Sequence, residues 1–335
     1  MKNFLVSFFF GMILFSCNKK ENKWNISTEK LNSKLEVIDI RKEYYSSMSL
    51  DEFRQKYPFY LSDSTADEVY EQQRKDPAEL KINEEITKKL SLVDLNQELE
   101  TLFEHIQYYF PKFIAPKVYL TNSMFSDDIL FNPVFYQVET NSVFIACDYF
   151  LGNGNIFYNN KEINLDKYVQ RSMNPENIVP KVAFAISENI LPFDKSKKDF
   201  LNYIVYYGKM MTLQDAFLPE TSDEWKIGYT KEEIEWCRTN EYNMWNYFIK
   251  NDYLFSDNED LLKRFIYPAP FSKFFTFDED NKSVDLDSPG QAGIWLGWQI
   301  MRSYFQNNSD VKLEKVLANT DFQEIFNQAK YKPER

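Results

Sequence analysis

His105 is the only histidine in the 335 residues, and that removes several chemistries at once. A Ser-His-Asp triad needs a histidine as its base. A closed zinc site needs four Cys, His or carboxylate ligands, and Cys147 and Cys237 lie in segments separate from His105. No metal or other cofactor is therefore expected. Carboxylates remain for acid-base work, and Glu188, Asp194 and Asp215 fall on or near two consecutive helical segments. A solvated helix face accounts for them as well. His105, between Glu104 and Ile106 in a long helical pattern, reads as a surface or helix-packing residue. Gly290-x-x-Gly293 and Gly293-x-x-x-Gly297 have the spacing of phosphate loops or membrane-helix dimers. They follow no strand and carry no Gly-Lys-Ser/Thr ending, so they mark places where a neighbouring backbone comes close.

The elements that would position any such group centre on Met173 to Pro219. Asn174 and Pro175 supply an N-cap and first helical residue, Val182, Phe184, Ala185 and Ile186 suit a helix, and Pro192 stops it. A second helix is expected from Lys198 to Leu218. Its Leu201, Ile204, Val205, Gly208 and Met211 recur at spacings of three and four, which predicts one packing face.

Upstream, Leu35 to Arg41 alternates as a half-buried strand does. Ser49-Leu-Asp-Glu52 is a capping box, Pro58 ends the helix after it, and Ser62 to Lys75 and Asn83 to Tyr109 read as further helices. Lys117 to Thr121 is strand-like, and Val134–Glu139 with Val143–Asp148 reads as a hairpin across Thr140-Asn141-Ser142. Downstream, Thr230-Lys-Glu-Glu233 caps a helix with Ile234, Cys237, Trp245 and Phe248 on one stripe. Pro268-Ala-Pro270 breaks the chain, a glycine-bearing helix runs from Ser288 to Phe305, and Leu313 to Lys330 holds two short helices.

Only 8 glycines against 30 Phe, 22 Tyr and 6 Trp predict long helices and a core of rings. The net charge of −12 would repel a phosphate backbone, so no nucleic-acid partner is expected. At the amino terminus Lys2 precedes an apolar run from Phe4 to Phe15. That is too short for a spanning helix of roughly 20 residues and has the form of an export peptide. It ends in Leu14-Phe15-Ser16-Cys17, which resembles the lipobox of bacterial lipoproteins and makes Cys17 the lipidated residue. A plain secreted protein or an uncleaved anchor is the alternative. Residues 1–16 are thus expected as a lipoprotein signal peptide, 17–34 as a lipidated flexible tether, and 35–332 as one folded domain. The tether is net basic at Lys19, Lys20 and Lys23, which favours the periplasmic side of the envelope. Cys147 and Cys237 sit in apolar segments and read as buried free thiols, although a bridge would be permitted there.

Ile178-Val179-Pro180, Tyr206-Tyr207-Gly208-Lys209 with Leu218-Pro219, and Ser288-Pro-Gly-Gln-Ala-Gly-Ile-Trp-Leu-Gly-Trp-Gln resemble segments of the Bacteroidetes gliding-motility lipoproteins called GldB. The resemblance spans essentially the whole chain. It implies an envelope lipoprotein required for gliding and tied to type IX secretion, with gliding or secretion machinery proteins as partners and the membrane reached through lipid on Cys17. That family is distantly similar to predicted zinc proteases, in which His-Glu-x-x-His on one helix is followed by a glutamate before a glycine on the next. Here no histidine stands between Ala183 and Leu191, and Tyr207 stands before Gly208.

The expectation is an α+β, mostly α-helical, zincin-like domain with a small N-terminal β-sheet and the metal site lost. It would be a non-catalytic lipoprotein acting by protein-protein interaction, with Phe184, Ser187, Glu188, Tyr206, Tyr207 and Lys209 lining the former metal cleft, either as packed rings or as a groove. The alternatives are a histidine-independent peptidase or cell-wall glycosidase with two carboxylates about 5 to 10 Å apart, and a peptide- or glycan-binding lipoprotein.

Overall fold

A computed structural model describes residues 22–123, 125, 130–160, 163–272, 274 and 288–334. The expected signal peptide and Cys17 lie outside them. Four strands, β1 Glu36–Asp39, β2 Lys117–Thr121, β3 Val134–Gln137 and β4 Ser142–Ala146, form one sheet in the order β1-β2-β4-β3. β1, β2 and β4 are parallel, and β3 pairs antiparallel with β4 across the expected turn. Between β1 and β2 run α1 Ile40–Tyr44, α2 Leu50–Lys56, α3 Asp67–Gln73, α4 Pro77–Lys89 and α5 Leu92–Tyr109. After the sheet come α6 Lys167–Gln170, α7 Ile178–Ile190, α8 Phe200–Phe217, α9 Asp223–Ile227, α10 Lys231–Lys250 and α11 Asp260–Phe265. The chain closes with α12 Ala292–Asn307, α13 Leu313–Ala318 and α14 Phe322–Ala329. The class is α+β and mostly helical.

The capping signals are realised in the chain. Ser49 and Glu52 exchange side-chain bonds with each other's backbone at the start of α2, and Thr230 and Glu233 do the same at α10. The pattern Ser62 to Lys75 is shorter as a helix than expected, because Ser62 to Thr65 form turns and α3 begins at Asp67. Cys147, expected in a strand, opens a 3-10 turn at the end of β4. Both Cys147 and Cys237 are buried and unbridged, and burial pushes the Cys147 thiol up to about 12.

Strand alternation splits the sheet between two cores. Val118, Leu120, Val143 and Ile145 face the main core, which α5, α7, α8 and α12 complete. Ile38 and Tyr119 face a smaller core built on Ile40, Tyr44, Phe53 and Tyr57 of the N-terminal helices.

Two expectations about this main core are corrected. α8 is not amphipathic: from Gly208 to Phe217 every residue is buried, because α12, α7, α14 and α5 surround it. The tether is not free along its whole length either. Trp24 is buried against Tyr109 and Phe305, and the Asn32 amide donates to Gln107 Oε1 at 2.8 Å, so the packed body begins before Leu35.

Candidate functional site

The six residues expected to line one cleft divide into two groups. Ser187 is fully buried, and its hydroxyl donates to the Ala183 carbonyl at 2.7 Å one turn back in α7. Lys209 is 1% exposed and its Nζ donates to the carbonyls of Asn319 at 2.6 Å and Leu317 at 3.4 Å while lying 4.5 Å from the Phe322 ring centroid. Two residues past Tyr207 is about 200° further around a helix, so Lys209 points away from Tyr207 and into the packing of α13 and α14. Burial without a carboxylate partner lowers its ammonium to about 8. Neither residue lines a groove.

The other four are placed on the α7–α8 surface. The Tyr206 hydroxyl donates to the Leu191 carbonyl at 3.1 Å, closing the C-terminal end of α7. Its ring meets Phe193 and Tyr207 edge-on at 4.9 and 5.1 Å, and Phe193 stacks on Tyr203 at 4.6 Å. Tyr207 and Phe184 are half-buried. Burial and then the nearby Glu188 charge raise the Tyr207 hydroxyl to about 12, and partial desolvation raises the Glu188 carboxyl above its ordinary range. The result is a ring-lined surface with one carboxylate. Tyr206 is the packed ring, and Tyr207 is open on one side.

The remaining acids are spoken for. Asp194 is in an exposed turn, where its carboxylate accepts from the Ser196 amide and hydroxyl. Asp215, near the end of α8, is buried and accepts from Lys226 Nζ at 2.9 Å, Trp298 Nε1 at 2.8 Å and Arg302 at 3.0 and 3.1 Å. Arg302 also grips Asp223 with two bonds of 2.7 and 2.9 Å and lies 3.8 Å from the Trp298 ring centroid. Burial works to raise the Asp223 carboxyl, and the Arg302 bonds outweigh it and hold the group low. His105 is a helix-packing residue. Its Nδ1 bonds the Thr101 carbonyl at 2.8 Å, which fixes the proton on that nitrogen. Among the described residues no three His, Cys, Asp or Glu side chains gather as a metal site requires, and no helix is long and apolar enough to cross a membrane.

A second feature was missed by sequence reasoning. Between the small core and the sheet lies a cleft of about 730 Å³. One wall is Phe135, Phe144 and Phe59, part of a stack of rings in register across three strands: Phe135 on Phe144 at 4.8 Å and Phe144 on Tyr119, outside the lining, at 5.2 Å, with Phe59 closing against both Tyr119 and Phe144. The facing wall is Tyr44, Tyr45 and Tyr60. Asn122 Nδ2 donates to the Tyr45 hydroxyl at 2.9 Å, and that hydroxyl donates to Glu79 at 3.3 Å. Burial raises the Glu79 carboxyl to about 7, against the pull of the Tyr45 bond and with the Asp148 and Asp76 charges adding to it. The readable signal was a ring at one outward position of each of three strands, Tyr119, Phe135 and Phe144, with ring pairs at 44–45 and 59–60. The sequence does not tell which of these rings meet.

These features define a mostly helical α+β protein with ring-lined surfaces and a central helix whose charged side chains are bonded inside the fold. The chain belongs to the gliding motility protein GldB family, whose family model matches residues 21–333. No curated protein and no solved structure matches it.

Proposed function

We propose that this gliding motility protein is a non-catalytic envelope component, held by lipid on Cys17 on the periplasmic side, that works by binding a protein of the gliding or secretion machinery. In this reading α7 and α8 are the tandem helices of a zinc-peptidase core whose ligands have been replaced. The carrying observation is how the polar groups of those helices are used. Asp215 is paired with Lys226 and Arg302, Lys209 donates to two backbone carbonyls and Ser187 to a carbonyl of its own helix. Such groups hold the fold. Among the side chains left at least partly outward are Phe184, Glu188, Tyr203 and Tyr207, rings beside a single acid, a composition suited to protein contact.

Co-purification from cross-linked cells tests this. A stoichiometric envelope partner that is lost in Tyr207→Ala, while the variant still unfolds cooperatively, is expected. Absence of any partner, or turnover of a peptide or cell-wall substrate by the purified lipoprotein, overturns the reading. Cys17→Ala should release the folded chain from the membrane fraction.

A further inference from the structure

The cleft at the sheet takes no part in the partner reading, and it has the make-up of a small-ligand site. Its volume of about 730 Å³ falls in the range of roughly 300–1,000 Å³ typical of such sites. Two of its large rings, Phe135 and Phe59, stay 47% exposed although the small core lies beside them. Phe135 ends the ring stack at the sheet edge, so one of its faces is covered by Phe144 and the other has no strand beyond it.

The tyrosine hydroxyls of the cleft are already committed. Tyr44 donates to Gln73 Oε1, Tyr45 to Glu79, Tyr60 to the Asn122 carbonyl and Tyr136 to Asn141. These bonds fix the walls before any ligand arrives, which lowers the ordering cost of binding. Gln73 and Gln137 use only their oxygens, Gln137 in accepting from Thr140, so their amide N–H groups have no partner among the described residues. Among the described residues Glu139 is the only charged side chain of the lining, and no lysine or arginine contributes.

We propose that this cleft binds a neutral saccharide, with a sugar ring stacked on Phe135 and Phe59 and its hydroxyls bonded by Gln73, Gln137 and Glu139. The C–H face of a sugar carries slight positive charge and suits the negative face of an aromatic ring. Its hydroxyls each donate and accept, so amide N–H groups and a carboxylate at the cleft mouth serve both roles. An anionic ligand would meet Glu139 with no cation among the described lining residues to offset it.

Calorimetry on the full-length lipoprotein in detergent, with maltohexaose, cellohexaose and N-acetylchitohexaose as probes, tests the assignment. At least one should bind with a Kd below about 1 mM. Phe135→Ala should weaken it roughly tenfold. Gln137→Ala, at an exposed position, should weaken it with no change in melting temperature, so loss of binding does not depend on the ring variant folding well. The inference falls if none of the three binds, if both variants bind as the parent does, or if a decaproline peptide binds the cleft in their place. Partner capture through Tyr207 should be unaffected by Gln137→Ala, which separates this result from the reading above.

Discussion

Gly208 of α8 and Gly297 of α12 lie backbone against backbone: a Cβ on Gly208 would overlap the Gly297 carbonyl, and one on Gly297 the Ile204 carbonyl. No side chain fits between the two helices there. The contact sets the helix separation and lets Trp298 and Met301 pack on α8.

Gly297→Ala should therefore destabilise the domain by about 1–3 kcal/mol or more, read as a shift in the urea midpoint. Gly208→Ala removes the same close approach from the other side. The double variant should cost less than the two singles added, because once the helices have separated the second methyl finds room.

Asp215 neutralises Lys226 and Arg302 in a buried setting. Asp215→Ala leaves Lys226, which is 4% exposed at its side chain, without its carboxylate and should cost about 3–5 kcal/mol. Chemical denaturation measures this, and an effect under about 1 kcal/mol would contradict the pairing.

Lys209 gives a pH signature. In the folded chain its ammonium loses its proton near 8, and in the unfolded chain near 10.5. Between those values the unfolded state binds more protons, so stability rises with pH there, and this gain is lost as pH falls through 8. Lys181 is lowered to about 8 as well, so Lys209→Met should reduce the slope by its own share rather than abolish it, seen by comparing melting temperatures of parent and variant across pH 8 to 10.5.

Glu79 gives the opposite sign. Its folded carboxyl holds a proton to about 7 and its unfolded one to about 4.5. The folded state binds more protons in that window, so stability is greatest below 4.5 and falls as pH rises through 7. Glu79→Gln keeps an acceptor for Tyr45 and should flatten the dependence. An unchanged slope would place the titrating group elsewhere.

Local signals in the sequence named most of the elements on their own. The Ser49–Glu52 and Thr230–Glu233 boxes, the Lys117–Thr121 strand and the turn at 140–142 rest on bonds among near neighbours, which residue type and spacing dictate. The glycines at 290, 293 and 297 signalled close backbones, because glycine where a helix is expected costs stability unless something occupies the space of its side chain; the matching role of Gly208 was not legible. The single histidine likewise limited the chemistry without any structure.

Only the tertiary structure decided direction and company. Lys209 and Tyr207 are two residues apart, yet one is enclosed by α13 and α14 and the other is open on one side, and a spacing rule cannot say which side a helix buried nearly all round turns to which neighbour. Trp24 joined the core because Tyr109 and Phe305, distant in sequence, made an apolar seat for it. The cleft arose from strand order, which brought Phe135, Phe144 and Tyr119 side by side. That order is set by long-range pairing, whose free energy depends on contacts across the whole fold rather than on any one stretch of chain.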